Sequence, residues 1–487
     1  MDAHLPVDGV ILVAAGLLAL GLLGTGLAEK TPVPSLLFSL GIGMAIGSDG
    51  LGWVHVNLSD LHWVEGLSIS ALALILFSGG LSTPWSSMRS QGAPAAVMAT
   101  AGVGITMATV AFVARPILDL DTNTALLLGA VIASTDAAAI FSALRGVAIP
   151  GRVKSLLEVE SGFNDPMAVL LTVGVLAAFH GHPTAGDWIT FGLRQIAGGL
   201  AAALVVGFAG SWVLQRSRFH SSAAAAVAAL ALAGLSYGVA AKLGGSGLLA
   251  AYVAGVVVGN RVTRHRRMIV GLHDSLGEAA EIGLFLLLGL LVEPSQLPHQ
   301  AGRAVVVAIV LVFVARPLAV GVLMPWFGFK PRELPLIAWA GLRGAVPIVL
   351  ATFPLIEDHP AGLVIFNVVF FVVILSTALQ GITVGRVAKT LGLEADAQPW
   401  SPIVEAIPVE RLGGELVEVD LGDRSPVIGR ALRDVPLPDR CRITAIIRGD
   451  AVLVPDGTTE LASHDLLLVL APDAVTGTTA LRSWAEG

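Results

Sequence analysis

The sequence predicts an α-helical polytopic membrane protein that carries a small soluble domain at its C-terminal end. Three observations predict it. The chain has 487 residues, 55% of them hydrophobic and only 13% charged, with a mean hydropathy of +0.80, whereas soluble domains carry about 25% charged residues. The charge is unevenly spread: residues 1–390 hold 21 Lys/Arg against 20 Asp/Glu, and residues 391–487 hold 8 against 16. Apolar runs in the first part repeat at the length that crosses a bilayer, about 20 residues. Together these exclude an ordinary globular enzyme, a disordered chain and a nucleic-acid-binding protein. The single cysteine, Cys441, excludes a disulfide framework or a multi-thiolate metal site within one chain. The eleven His show no paired metal-ligand spacing, and the close pair His180/His182 reads as solvated.

Polar breaks divide the first part into thirteen spans, roughly 7–28, 33–47, 66–82, 93–117, 123–144, 155–179, 188–214, 221–241, 246–260, 276–292, 304–327, 334–355 and 361–384. The second and ninth are short. An odd number puts the termini on opposite faces. Alternation places Lys30, Arg89, Arg145, Arg152, Lys154, Arg216, Arg218, Arg261, Arg264, Arg266, Arg267, Lys330, Arg332, Arg386 and Lys389 on one side. Only Arg115, Arg194, Lys242 and Arg303 fall on the other. The positive-inside rule makes the first side cytoplasmic, with the N-terminus outside. Residues 1–8 lack the positive segment of a signal peptide.

Spans four and eleven share a string, Phe112-Val113-Ala114-Arg115-Pro116 and Phe313-Val314-Ala315-Arg316-Pro317. They lie seven spans apart and so run in opposite directions. Two inverted halves joined by a seventh span would give that pattern; a five-residue match can also arise by chance.

Ionisable groups within spans are costly and read as functional. Span five holds Asp136 after Thr135; span six holds Glu158, Glu160 and Asp165; span ten opens with Glu278 and Glu281; spans eleven and twelve hold Arg316 and Arg343. In span six, Ser161 and Asp165 share a face, as do Glu160 and Asn164. Pro166 frees a backbone carbonyl one turn back. Asp165 thus sits at mid-span among hard oxygen ligands that suit an alkali cation. The alternative is an Asp165–Arg343 pair that merely holds helices together. Thr135-Asp136 and Gly344–Pro347 are both poor helix formers, again seven spans apart. If unwound they would cross near the membrane centre, Asp136 facing the N-terminal dipole ends and Arg343 the C-terminal ends. The alternative is two ordinary helices with a buried Asp–Arg pair.

The string Glu160-Ser161-Gly162-Phe163-Asn164-Asp165-Pro166 resembles the Glu-Ser-x-x-Asn-Asp signature of the monovalent cation:proton antiporter-1, or sodium/proton exchanger, family. Thr135-Asp136, Gly341-Leu342-Arg343-Gly344-Ala345 and Glu281-Ile282-Gly283-Leu284-Phe285 resemble further family elements in the same order. The resemblance covers about 1–390. It implies a thirteen-helix inverted-repeat fold with two unwound crossing helices, working as a homodimer by alternating access. It further implies that Asp165 is the shared cation and proton site, supported by Asn164, Ser161, Thr135 and Asp136. Glu160 and Arg343 become a structural ion pair, and Glu281 an accessory carboxylate. No cofactor is implied, only transported potassium or sodium and protons, with electroneutral exchange as the expectation. One departure stands out: many relatives carry an acidic residue before Gly-Gly-Leu in helix three, where this chain has Phe77-Ser78-Gly79-Gly80-Leu81.

After a hinge at 391–402, which holds Gly392, Pro399 and Pro402, residues 403–487 show short β-rich runs between Gly/Pro/Asp turns. Ser425–Leu432, Ile443–Arg448 and Asp465–Leu470 resemble a TrkA-C domain. That implies a small α/β regulatory domain on the cytoplasmic face, with a small ligand such as a nucleotide. The tail type is that of cell-volume-regulation potassium/proton antiporters, which places the chain in a bacterial inner membrane, with lipid as its surroundings. A ligand-gated cation channel is the alternative, but the only tyrosines, Tyr237 and Tyr252, form no Thr-Val-Gly-Tyr-Gly-like filter. A membrane enzyme lacks a metal-ligand cluster or a Ser/His pair.

Overall fold

A computed structural model describes residues 6–28, 34–54, 61–136, 139–140, 143–144, 147, 149–179, 181, 184–217, 221–262, 265–393, 403–409, 414–422, 425–449, 451–471, 480–481 and 483–485. The chain forms two compact units, Met1–Glu394 and Ala395–Gly487. Most of the expected hinge, 394–402, and the pair His180/His182 lie outside the described residues.

The first unit is all helix. Its elements are α1 (Pro6–Ala28), α2 (Ser35–Ile46), α3 (Leu61–Ser82), α4 (Trp85–Leu118), α5 (Thr122–Val131), α6 (Gly151–Phe179), α7 (Ala185–Arg216), α8 (Ser222–Lys242), α9 (Gly247–Arg261) and α10 (Arg266–Leu291). There follow α11, which starts as Leu297–Val310 and ends as Arg316–Leu323, then α12 (Glu333–Trp339), α13 (Ala345–Ile356) and α14 (Gly362–Thr390). Seven described helices are long and apolar enough to cross a membrane; α2, α5, α9 and α13 are apolar but shorter. Polar caps set several starts: Asp121 accepts from the backbone of Asn123 and Thr124, Thr184 and Asp187 form a capping box, and Ser221 and Ser246 cap α8 and α9.

The helices pack as two bundles. One contains α1–α3 and α7–α10, with α9 pressed against α3 and α7, and α10 against α2 and α3. Gly80 and Gly255 make the α3–α9 approach possible: a Cβ on either would stand 2.3 Å from a backbone oxygen of the other helix. Small residues serve this purpose where no hydrophobic force drives helices together in lipid. The second bundle contains α4–α6 and α11–α14. Contacts between the bundles are sparse, running chiefly through α3, α6, α9, α10 and α13.

The repeated Phe-Val-Ala-Arg-Pro string takes two forms. At 112–116 it is ordinary α-helix and Arg115 is exposed. At Leu311–Ala315 the chain makes a π turn, after which Arg316 is buried. Pro317 lacks the donor that would close the preceding turn, which permits the wider turn.

The second unit holds a five-stranded antiparallel sheet in the order β1-β2-β5-β3-β4, from β1 (Ile403–Val409), β2 (Gly414–Asp420), β3 (Arg442–Arg448), β4 (Ala451–Leu453) and β5 (Leu466–Ala471). Val417, Val419, Ile446, Leu467 and Val469 alternate onto one buried face, as period-two strands require. Leu481 and Ala485 are buried with them. Arg448 pairs with the fully buried Asp465 at 2.7 Å.

Candidate functional site

The chain leaves helical geometry twice within the second bundle. α5 stops at Val131, and residues 133–136 are non-helical; α12 stops at Trp339, and residues 341–344 are non-helical before α13 begins. The two stretches meet: the Asp136 amide donates to the Leu342 carbonyl at 2.9 Å. The Arg343 Nη1 donates to the carbonyls of Ala133 and Ser134 at 3.0 and 2.6 Å, orphaned because α5 has ended. On the other side, Asp136 Oδ1 accepts from the Ala139 amide at 3.1 Å, and its Oδ2 lies against Gly344 at the start of α13. A Cβ at Gly344 would stand 1.6 Å from that oxygen, so any other residue there displaces the Asp136 side chain. Thr377 and Gln380 on α14 hold this second stretch by donating to the carbonyls of Arg343 and Trp339 at 2.8 and 2.7 Å.

α6 runs unbroken past the crossing, with Pro166 inside it. The Ser161 hydroxyl donates to the Thr135 carbonyl at 2.7 Å, and Asn164 Nδ2 donates to Thr135 Oγ1 at 3.1 Å. Asp165 follows on the same helix, 8% exposed. Its Oδ1 and the Asn164 Oδ1 are both buried and make no hydrogen bond to protein. Buried acceptors are rarely left so. One of these oxygens belongs to a carboxyl group and the other to an amide.

A cavity of about 390 Å³ reaches Asp165 along the seam between the bundles. Asp136, Glu158 and Asp165 line it from one bundle, and Asp274, Glu278 and Glu281 on α10 from the other; among the described residues no Lys, Arg or His lines it. Opposed carboxylates with apolar walls concentrate cations. Ser78 on α3 donates to Asp274 Oδ1 at 2.7 Å.

The structure thus brings Asp165, Asn164, Ser161, Thr135 and Asp136 into one cluster, with Glu281 across the cavity. It corrects the pairing of Glu160 with Arg343. Glu160 is fully buried and pairs with Arg316, whose Nη1 and Nη2 lie 2.5 and 3.0 Å from the two carboxylate oxygens. The reason is geometric. Arg316 enters from α11 with its fork parallel to the carboxylate, while Arg343 lies on the non-helical stretch and is taken up by the carbonyls that end α5. The sequence exposed Arg316 as a charge within a span but gave no partner. Asp274 and Tyr252 were also missed: Asp274 falls in a polar break of the hydropathy pattern, and Tyr252 in a run that reads as plain apolar helix.

A family model described as sodium/hydrogen exchanger, transmembrane, matches residues 16–390, and one described as TrkA-C domain matches residues 416–479. The chain is 36% identical over 490 residues to the K(+)/H(+) antiporter NhaP2 of Shewanella baltica, covering 97% of this chain and 82% of that one. It is 38% identical to the K(+)/H(+) antiporter NhaP of Alkalimonas amylolytica, covering 94% and 80%. The Na(+)/H(+) antiporter ApNhaP of Aphanothece halophytica is 27% identical over 76% of this chain. Among solved structures, the sodium proton antiporter MjNhaP1 of Methanocaldococcus jannaschii superposes with a TM-score of 0.71 at 24% identity, covering 80% of this chain and 99% of that one.

Proposed function

The chain belongs to the sodium/hydrogen exchanger transmembrane family, and from that premise we propose how it exchanges a monovalent cation for protons. Cation:proton antiport is its function; it is a transporter and not an enzyme. Asp165 is the exchange site. One carboxylate in a water-poor site holds one proton or one cation, and that competition couples the two flows. The observation that carries this reading is the pair of buried, unspent oxygens on Asp165 and Asn164 at the end of an acidic cavity. Ser161 and Thr135, hydrogen-bonded to each other and, through Thr135, to Asn164 beside this pair, complete the oxygen shell. Asp136 sits at the crossing and compensates the start of α13.

Potassium is the physiological cation in this reading, supported by the names of the two relatives at 36% and 38% identity. A single titrating carboxylate trades one proton for one cation, so exchange is electroneutral. The thirteen-span inverted repeat, with 133–136 and 341–344 as its two unwound segments, supplies the motion: the bundle bearing Asp165 moves against the other across the sparse seam. The chain sits in a bacterial inner membrane with its tail in the cytoplasm, where the TrkA-C-like unit answers a small ligand such as a nucleotide. The other bundle pairs two copies into a dimer. Protease access to the tail in inside-out but not right-side-out vesicles checks the orientation, and the mass of the detergent-solubilised particle checks the dimer.

The decisive experiment is exchange in proteoliposomes carrying a pH gradient and a series of alkali cations. Added potassium should dissipate the gradient, whereas imposed voltage at equal pH should drive no net cation uptake. Current without proton movement would instead indicate the channel.

A further inference from the structure

Tyr252 takes no part in the scheme above, yet it stands on the path to Asp165. It projects from α9, in the bundle that lacks Asp165, and its ring lies over α6 at Gly162. A Cβ at Gly162 would stand 2.1 Å from the ring carbon Cζ and 2.5 Å from the hydroxyl, so the ring occupies the place of a side chain one turn from Asp165. Phe163 closes on it edge-on, with ring centroids 5.8 Å apart. Tyr252 is 2% exposed, and it lines the acidic cavity together with Glu158 and Asp165. Its buried hydroxyl accepts no hydrogen bond from the described residues; the Thr83 hydroxyl, which also lines the cavity and donates to the Gly79 carbonyl at 2.7 Å, keeps lone pairs to which the phenol can donate. With its proton directed to Thr83, the phenol oxygen keeps its own lone pairs, which phenylalanine would not bring into the cavity. Those lone pairs are open to a partner that is not part of the protein.

Resting on the antiport reading, we propose that the Tyr252 hydroxyl is an oxygen ligand for the alkali cation on its way to Asp165, replacing one water of its hydration shell. A ligand fixed by a seated ring discriminates between ions of different radius, so Tyr252 sets cation affinity and the potassium-to-sodium preference. The ring belongs to one bundle and Gly162 to the other, so motion along the seam carries Gly162 past the ring and ends the contact. No bond to hydrogen is broken; the phenol stays protonated and presents a lone pair.

The test compares wild type, Asp165→Asn and Tyr252→Phe in proteoliposomes with potassium and sodium series. Phenylalanine keeps the ring on its seat. Tyr252→Phe should raise the apparent cation KM about tenfold, as loss of one good ligand does, change the potassium-to-sodium ratio and leave the maximal rate within about twofold. An unchanged KM and ratio beside an active wild type overturns the proposal, as does a fall in maximal rate alone. A wild type that exchanges nothing refutes the antiport reading instead. A second readout does not depend on that variant. The chain has two tyrosines, so 3-fluorotyrosine incorporated into Tyr237→Phe reports Tyr252 alone. Its fluorine resonance should move on potassium addition and saturate near the exchange KM; a resonance indifferent to potassium rejects the ligand role.

Discussion

Arg316 on α11 forks onto Glu160 on α6, both guanidinium Nη atoms facing the two carboxylate oxygens in a fully buried pair. Glu160 and Asp165 share one helix, so the pair fixes the helix that carries the exchange site to a neighbour in its own bundle. Removing one partner of a buried pair leaves a charge uncompensated and costs about 3–5 kcal/mol. Arg316→Ala should lower thermal stability by that order, and adding Glu160→Gln should restore part of it. Arg343→Ala should gain less from Glu160→Gln, because Arg343 spends its Nη1 on the carbonyls of Ala133 and Ser134 and makes no hydrogen bond to Glu160. A rescue of Arg343→Ala equal to that of Arg316→Ala would contradict this arrangement.

Asp165→Asn should leave a folded protein without exchange. The amide keeps the shape of the side chain but cannot trade a proton for a cation. Retained pH-gradient dissipation in Asp165→Asn proteoliposomes would remove Asp165 from the site.

Gly344 and Asp136 define a third expectation. With a Cβ 1.6 Å from Asp136 Oδ2 and 2.7 Å from its Cβ, Gly344→Ala must displace the Asp136 side chain from the crossing. A substitution of this kind should abolish exchange and lower the melting temperature by several degrees, as a loss of about 1–3 kcal/mol would. Gly104→Ala on α4 meets nothing within 4 Å and should behave as wild type. Equal behaviour of the two variants would show that the crossing does not need a glycine.

How much of this was readable in the sequence follows from the range of each signal. Hydropathy and capping are local, so the long helices and the short second and ninth spans were legible, as were the β-rich runs at 443–448 and 465–470. The clustering of Ser161, Asn164 and Asp165 was legible because they lie within five residues of one helix. The partner of Glu160 was not. Arg316 is 156 positions away, and two buried arginines were open to one carboxylate. Nothing local distinguishes an arginine aimed at a carboxylate from one aimed at backbone carbonyls freed by a helix end. The two copies of Phe-Val-Ala-Arg-Pro make the same point, since one string yields an exposed Arg115 and a buried Arg316. The seam between bundles, and Tyr252 and Asp274 on it, depends on packing across the whole unit and leaves no periodic trace.

His359 provides a pH expectation outside the membrane spans. It lies between α13 and α14, its Nδ1 accepts from the Ala361 amide at 3.1 Å, and its ring meets Phe179 edge-on at 4.5 Å. Burial lowers its pKa, with Asp121 opposing. A histidine whose folded pKa is lowered binds its proton more readily when unfolded. Its contribution to stability is therefore complete above the unfolded value, about 6.5, and falls away as pH drops below it. Melting curves between pH 7.5 and 5, about the range over which histidine titrates, should show a steeper loss for wild type than for His359→Gln. Parallel curves would show that His359 does not couple folding to protons.

The tail supplies the last expectation. The transmembrane match ends at residue 390 and the TrkA-C match begins at 416, and every residue assigned to exchange lies before 344. The sheet has its own buried core, including Val417, Leu467 and Val469, and its own ion pair between Arg448 and the buried Asp465. A unit with these features can bind a ligand better in one transport state than another and so shift the balance between states without touching the cation. Deleting 400–487 should leave exchange active while moving its dependence on pH or cation concentration. Total loss of exchange in a deletion that remains folded would place the tail in the transport machinery. An unchanged profile would make it a stability or trafficking module, because a regulator whose removal changes no equilibrium regulates nothing.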